Sequence, residues 1–211
     1  GVNIMVALSN YADFVHVAIE EKIDVIFSGA GLPMNLPQFR KTDTETKLVP
    51  IVSSGRAAAL LCKRWTERYA YLPDAMVVEG PLAGGHLGFK LEQISDPAFA
   101  LEKLVPEVIE ALRPFVERAG KPIPVIAAGG IYTGADILRF LELGAAGVQM
   151  ATRFVATHEC DASAEFKQAY IDSQPEDLMI IKSPVGMPGR AIRNPFIDAV
   201  NRGEKMPYQC P

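Results

Sequence analysis

Short apolar runs recur along the chain at residues 1–7, 24–28, 48–53, 75–79, 123–128 and 147–150. Each is too short for a lone helix and is bounded by turn formers, so each reads as a buried strand. Between them the apolar positions fall at helical spacing. After Asn10 as a cap, Phe14, Val15, Ala18 and Ile19 share a face, with His16 off it and solvated. Residues 56–69 put Ala57, Leu60, Leu61 and Trp65 inward and leave Lys63, Arg64, Glu67 and Arg68 to water. Residues 96–117 carry Leu104, Val105, Val108, Ile109, Leu112 and Val116 at the same spacing; Pro106 is placed to start the main helix and Pro114 to kink or shorten it. Strand alternating with helix is the sign of an α/β fold with a parallel sheet.

Residues 123–154 organise this pattern. The strand 123–128 ends in Gly129 and Gly130, Thr133 caps a helix over 134–142 with Ile137, Leu138 and Leu141 as its apolar face, and Gly144 stops it before the strand 147–150. Ala151, Thr152 and Arg153 then supply small residues, a hydroxyl and a cation. Two adjacent carboxyl ends with bare backbone amides suit a phosphate. Taken alone, the glycine pair fits a tight turn equally well; in a (β/α)8 barrel, however, the loops after strands seven and eight commonly share one phosphate site. On that numbering the six strands are three to eight of a TIM barrel that is incomplete here, with two initial strands missing. Gly1 in place of an initiator methionine agrees with a chain that begins inside a larger protein, and truncation at the carboxyl end is also expected.

A second informative loop, GPLAGGHLGF, follows the strand 75–79. Gly84 and Gly85 can lay backbone against a flat ligand while His86 is aimed at it, and imidazole is suited to exchange a proton near neutral pH. A lone loop histidine is more often structural; its place on the same rim as the phosphate loops favours function. In the connection 28–48, a short helix on Leu36 and Phe39 fits as well as an active-site wall, and no catalytic role is assigned. A helix over 157–171 is expected with Phe166, Ala169 and Tyr170 inward, and His158 with Cys160 finds no further metal ligand. After a strand at 178–183, the glycine-, proline- and arginine-rich stretch reads either as a lid over the barrel mouth, with Met187, Arg190 and Arg193 available to a substrate, or as an ordered surface extension. The division is residues 1–172 for a partial barrel and 173–211 for the lid or small-domain segment.

Composition narrows the chemistry. Hydrophobic residues at 49% and charged residues at 22% describe a globular chain. A net charge of -4 and a pI near 5.5 argue against nucleic acid and for a small-molecule partner. No run approaches the roughly 18 apolar residues of a membrane span. Cys62, Cys160 and Cys210 are odd in number and widely spaced, which fits a reducing cytoplasm.

Four ordered motifs, GVN at 1–3, EGPLAGGH at 79–86, AAGGI at 127–131 and GVQMATRF at 147–154, resemble the nitronate monooxygenase family, formerly the 2-nitropropane dioxygenases, which includes the flavin-type enoyl-acyl carrier protein reductases. The resemblance implies an FMN-binding (β/α)8 barrel with a small domain over its mouth. It implies that Asn3 contacts the flavin, that Glu79, Gly84 and Gly85 lie along it, that Gly129, Gly130, Gln149, Met150, Ala151 and Thr152 hold its phosphate, and that His86 is the active-site histidine. The implied reaction is oxidation of alkyl nitronates with dioxygen; the alternative is an NAD(P)H-dependent enoyl reductase partnered by acyl carrier protein, and a homodimer is left open. Monooxygenase members often carry glutamine where this chain has Glu79, and glutamate is more like the reductase branch. Ala151 stands where glycine is usual, and the family's early glycine and methionine motif is absent. A non-redox barrel binding a phosphorylated metabolite is the reading of a different class.

Overall fold

The computed structural model describes residues 1–41, 44–183 and 186–206. In chain order it contains β1 (Val2–Met5), α1 (Tyr11–Glu20), β2 (Val25–Gly29), β3 (Lys47–Val52), α2 (Gly55–Tyr69), β4 (Met76–Glu79), β5 (Gly85–His86), α3 (Leu101–Ala119), β6 (Val125–Ala128), α4 (Gly134–Glu142), β7 (Gly147–Gln149), α5 (Thr152–Val155), α6 (Ala164–Asp172), β8 (Leu178–Lys182), β9 (Pro188–Ile192) and α7 (Pro195–Asn201). Six strands form one curled parallel sheet in the order β1-β2-β3-β4-β6-β7, the winding of an incomplete (β/α) barrel. A smaller antiparallel sheet, β5-β9-β8, joins the histidine loop to the C-terminal ribbon.

The parallel strands are apolar on both faces, which is why they read as continuous hydrophobic runs. Ile4, Ile26, Leu48, Val52, Met76, Val78 and Ala127 face the helices and pack with Val15, Leu61, Trp65, Val105 and Val108 in the main core. The alternate residues Val49, Val77 and Ala128, with Val25, Phe27, Ile51 and Ile126 half-buried around them, form a second cluster on the inner face. Polar contacts then tie the helices to one another and to a connection of the sheet. Ser54 accepts from the Ala57 amide at the start of α2, and Glu107 of α3 accepts from the Gly55 amide at 2.7 Å, so one helix caps the next. The Trp65 indole donates to the Pro33 carbonyl at 3.0 Å and pins α2 to the β2–β3 connection, where Leu36–Phe39 forms the short 3-10 turn.

Several expectations are corrected. Phe14 of α1 and Leu60 of α2 are exposed, and the buried residues of these helices are the narrower sets Val15, Ala18, Ile19 and Ala58, Leu61, Cys62, Trp65 with Gly55. The helix α3 runs unbroken through Pro106 and Pro114. Both prolines sit on its exposed side, where the carbonyls they leave unpaired can meet water, while Leu104, Val105, Val108 and Leu112 are buried beneath. On α4 the buried residue is Phe140, and Leu138 and Leu141 are exposed. The expected helix at 157–171 shortens to α6, which buries none of its residues; Phe166 is exposed and stacks on Tyr170. Cys210 and residues 184–185 of the glycine- and proline-rich stretch lie outside the described residues.

Replacing Glu107 with alanine is expected to orphan the Gly55 amide and cost about 1–2 kcal/mol. Urea unfolding should register this as a lower midpoint with unchanged slope.

Candidate functional site

The parallel ladder pairs Glu79 with Ala128 and Ala128 with Gln149. Partners in register share a face, so Glu79, Ala128 and Gln149 form one row on the inner side at the carboxyl ends of β4, β6 and β7. Glu79 is half-buried beside this apolar face, and among the described residues nothing donates a hydrogen bond to its carboxyl. Burial therefore pushes its pKa up to about 7.

Past this row the chain makes two turns that press together. Gly80 donates its amide to Ala128 at 2.8 Å, and Ala83 donates to the Gly80 carbonyl at 3.1 Å. Gly129 has φ +98°, and a Cβ there would lie 3.0 Å from the Ala83 amide nitrogen and 3.1 Å from the Gly80 oxygen. Gly130, at φ +77°, passes so close to Leu82 that a Cβ would sit 2.8 Å from its Cβ. Only glycine combines that backbone conformation with that approach. By contrast, Gly84 and Gly85 are exposed with open space where a side chain would be, leaving bare backbone on the rim.

From Gly85 the chain enters β5, which pairs antiparallel with β9: Gly85 opposite Arg190, His86 opposite Gly189. His86 is half-buried, and the next turn is anchored by buried Leu87 and Phe89, with the Leu87 amide donating to Pro188 at 2.8 Å. After β7, Met150 packs toward the helix-side core, so its backbone rather than its side chain is turned to the rim, and Ala151 and Thr152 open α5, both exposed. The Arg153 guanidinium stacks 4.7 Å above the Tyr132 ring and links the loop after β7 to the loop after β6. Asn3 lies on the opposite edge strand, in register with Phe27 on the inner face, and is exposed.

The structure thus brings Glu79, Gly84, Gly85, His86, Gly129, Gly130, Gln149, Ala151 and Thr152 to one rim. Of the two arginines of the C-terminal stretch, Arg193 is taken up by an exposed ion pair with Asp198 at 3.0 Å, whereas Arg190 reaches the loop after β4. Tyr132 stands two residues past Gly130, and its partnership with Arg153 has no local signal in the sequence. A cavity of about 1010 Å³ lies elsewhere. It opens at the amino ends of β2 and β3 among Lys22, Asp24, Lys41, Glu45 and Lys47, whose mixed charges and distance from the carboxyl rim give no convergent chemistry.

The nitronate monooxygenase family model matches residues 1–210. The chain belongs to that family. It is 37% identical over 132 residues to a probable nitronate monooxygenase of Staphylococcus aureus (strain Newman), a stretch covering 62% of this chain and 35% of the relative. A probable nitronate monooxygenase of Staphylococcus saprophyticus is 29% identical over 93% of this chain and 52% of its own. Among solved structures, FabK from Thermotoga maritima is similar at TM-score 0.74 and 32% identity, over 97% of this chain and 57% of that one. A nitroalkane oxidase from Streptomyces ansochromogenes matches at TM-score 0.68 and 26% identity, over 89% and 50%. This nitronate monooxygenase family chain therefore spans about a third to somewhat over half the length of these relatives.

Two measurements test the rim. Substituting Gly129 with alanine places a methyl against two backbones at a positive φ and is expected to destabilise by about 2–4 kcal/mol. Chemical denaturation reads this directly. The Glu79 carboxyl holds its proton in the folded chain up to about pH 7 and loses it in the unfolded chain near 4.5. Between those values the unfolded state binds fewer protons, so stability falls as pH rises and levels off above 7, a change of at most about 3 kcal/mol. The difference in melting free energy between wild type and Glu79→Gln should follow that curve; a difference independent of pH would contradict the raised pKa.

Proposed function

We propose that this chain binds FMN along the carboxyl rim of its parallel sheet and belongs to an oxidoreductase that oxidises alkyl nitronates with dioxygen. The observation that carries the proposal is the convergence, on one rim, of the Glu79–Ala128–Gln149 row, the glycine pair packed backbone to backbone, and the bare Gly84–Gly85 turn ahead of His86. The fit to FMN rests on these same features. Backbone amides at Gly129, Gly130, Ala151 and Thr152 suit a phosphate, the exposed glycines admit a flat ring, and Glu79 and Gln149 offer hydrogen-bonding groups at its edge. Met150 would contribute backbone only, and Asn3 a polar side chain from the inner face of β1.

Bound FMN would supply the redox chemistry. The chain's own part is to hold and orient. Glu79, protonated below about pH 7, presents a donor without adding a full negative charge to the rim. His86, fixed through β5, is the group that positions the substrate or carries its proton. The names of the similar proteins, probable nitronate monooxygenase and nitroalkane oxidase, support the choice of a nitronate or nitroalkane substrate.

A second reading keeps the cofactor and changes the reaction to NAD(P)H-dependent reduction of an enoyl thioester, with acyl carrier protein as partner. The likeness to FabK over nearly the whole chain, together with glutamate at position 79, favours it.

FMN added to the purified chain should bind and alter its visible absorbance. Bleaching by a nitronate under anaerobic conditions supports the first reading, and bleaching by NADH with recovery on a crotonyl thioester supports the second. His86→Ala is expected to lower turnover by about a hundredfold or more while flavin content stays near wild type. A protein that takes up no FMN would overturn both readings.

A further inference from the structure

We infer that Arg190 is a positioning residue that holds the turn carrying His86 in place from the C-terminal ribbon. Arg190 sits in β9 opposite Gly85. Its Nη1 donates to the Pro81 carbonyl at 2.7 Å and to the Ala83 carbonyl at 3.0 Å. Pro81 and Ala83 are both buried, and among the described residues no other donor reaches either oxygen. Without the guanidinium two carbonyls would lose their partner in a turn that has little room to rearrange.

That turn is the one whose Gly80 oxygen and Ala83 nitrogen press on Gly129, and it runs directly into Gly85 and His86. One cation therefore acts on both halves of the rim: the backbone against the glycine pair, and the strand that aims the imidazole. The ladder between β5 and β9 and the Leu87-to-Pro188 bond complete the attachment. Arg190 needs no contact with a ligand to do this. The burial that its place requires lowers its pKa from the ordinary arginine value, yet a guanidinium stays charged at physiological pH.

Because a single nitrogen donates both bonds, an ammonium can replace part of the interaction, whereas a neutral amide loses the charge. The test compares Arg190→Gln and Arg190→Lys with wild type in the 211-residue chain, by hydrogen exchange read by mass spectrometry and by titration with FMN. In Arg190→Gln, amides of residues 82–88 should exchange at least tenfold faster while those of α2 and α3 are unchanged. Its FMN affinity should fall about tenfold, with a shifted visible band, and Arg190→Lys should recover most of both effects. Wild-type exchange at 82–88 in Arg190→Gln, or no recovery in Arg190→Lys, overturns the inference. If Arg190→Gln yields no folded protein, Arg190→Lys alone decides: a folded protein whose exchange at 82–88 stays within about threefold of wild type sustains it, and exchange there about tenfold or more faster refutes it. The titration arm rests on the flavin reading, but the exchange arm does not. A wild type that binds no FMN therefore refutes that reading and leaves the role of Arg190 to the exchange result.

Discussion

The rim depends on one close approach, that of the 80–83 turn to the backbone at Gly129. Parallel strands deliver chain to their carboxyl ends at ladder spacing, and the connections there normally diverge. Here the connection after β4 folds back across the end of β6, because Gly80 donates to Ala128 and Gly129 has no Cβ to keep Ala83 away. Two consequences follow from that contact. The amides around Gly129 and Gly130 are left at a strand end instead of being screened by side chains, and the segment leading to His86 leaves the sheet in a fixed direction. A β-carbon at either glycine would separate the two loops and dissolve the arrangement.

The inner face of the sheet explains the character of Glu79. Its neighbours along and across the ladder are Val77, Ile126 and Ala128, so a carboxylate there loses water without gaining a donor among the described residues. Below about pH 7 it keeps its proton and is a neutral group that both donates and accepts, as a glutamine amide is.

Most of the parallel sheet was legible because its signals are local. Runs with two apolar faces are continuous in the sequence, and the box in which Thr133 and Asp136 cap each other's backbone lies within four residues. The glycine pair was legible for the same reason. Helix faces were less so: periodicity marks an apolar stripe, but whether Phe14, Leu60, Leu138 or Leu141 is covered depends on which neighbour arrives. The prolines in α3 misled because their cost depends on the side of the helix they occupy, which only packing decides. Nothing near position 190 in the sequence announces that its cation will serve carbonyls at 81 and 83, or that a two-residue strand at 85–86 will pair with it. Interactions across such separations leave no periodicity to read.

The proposed chemistry is divided between two sheets. The groups suited to a phosphate and to the edge of a ring come from the parallel sheet, whose ladder sets their spacing. The imidazole comes from the antiparallel sheet, and its position relative to the first set passes through the 80–83 turn and the Arg190 guanidinium. The spacing of the Glu79–Ala128–Gln149 row is set by two adjacent ladders, β4 with β6 and β6 with the edge strand β7. The histidine is less protected, for its placement depends on residues from the C-terminal segment being present and correctly paired. On the proposed reading the ribbon therefore matters to cofactor and histidine alike, since the turn it holds backs the glycine pair and leads into His86.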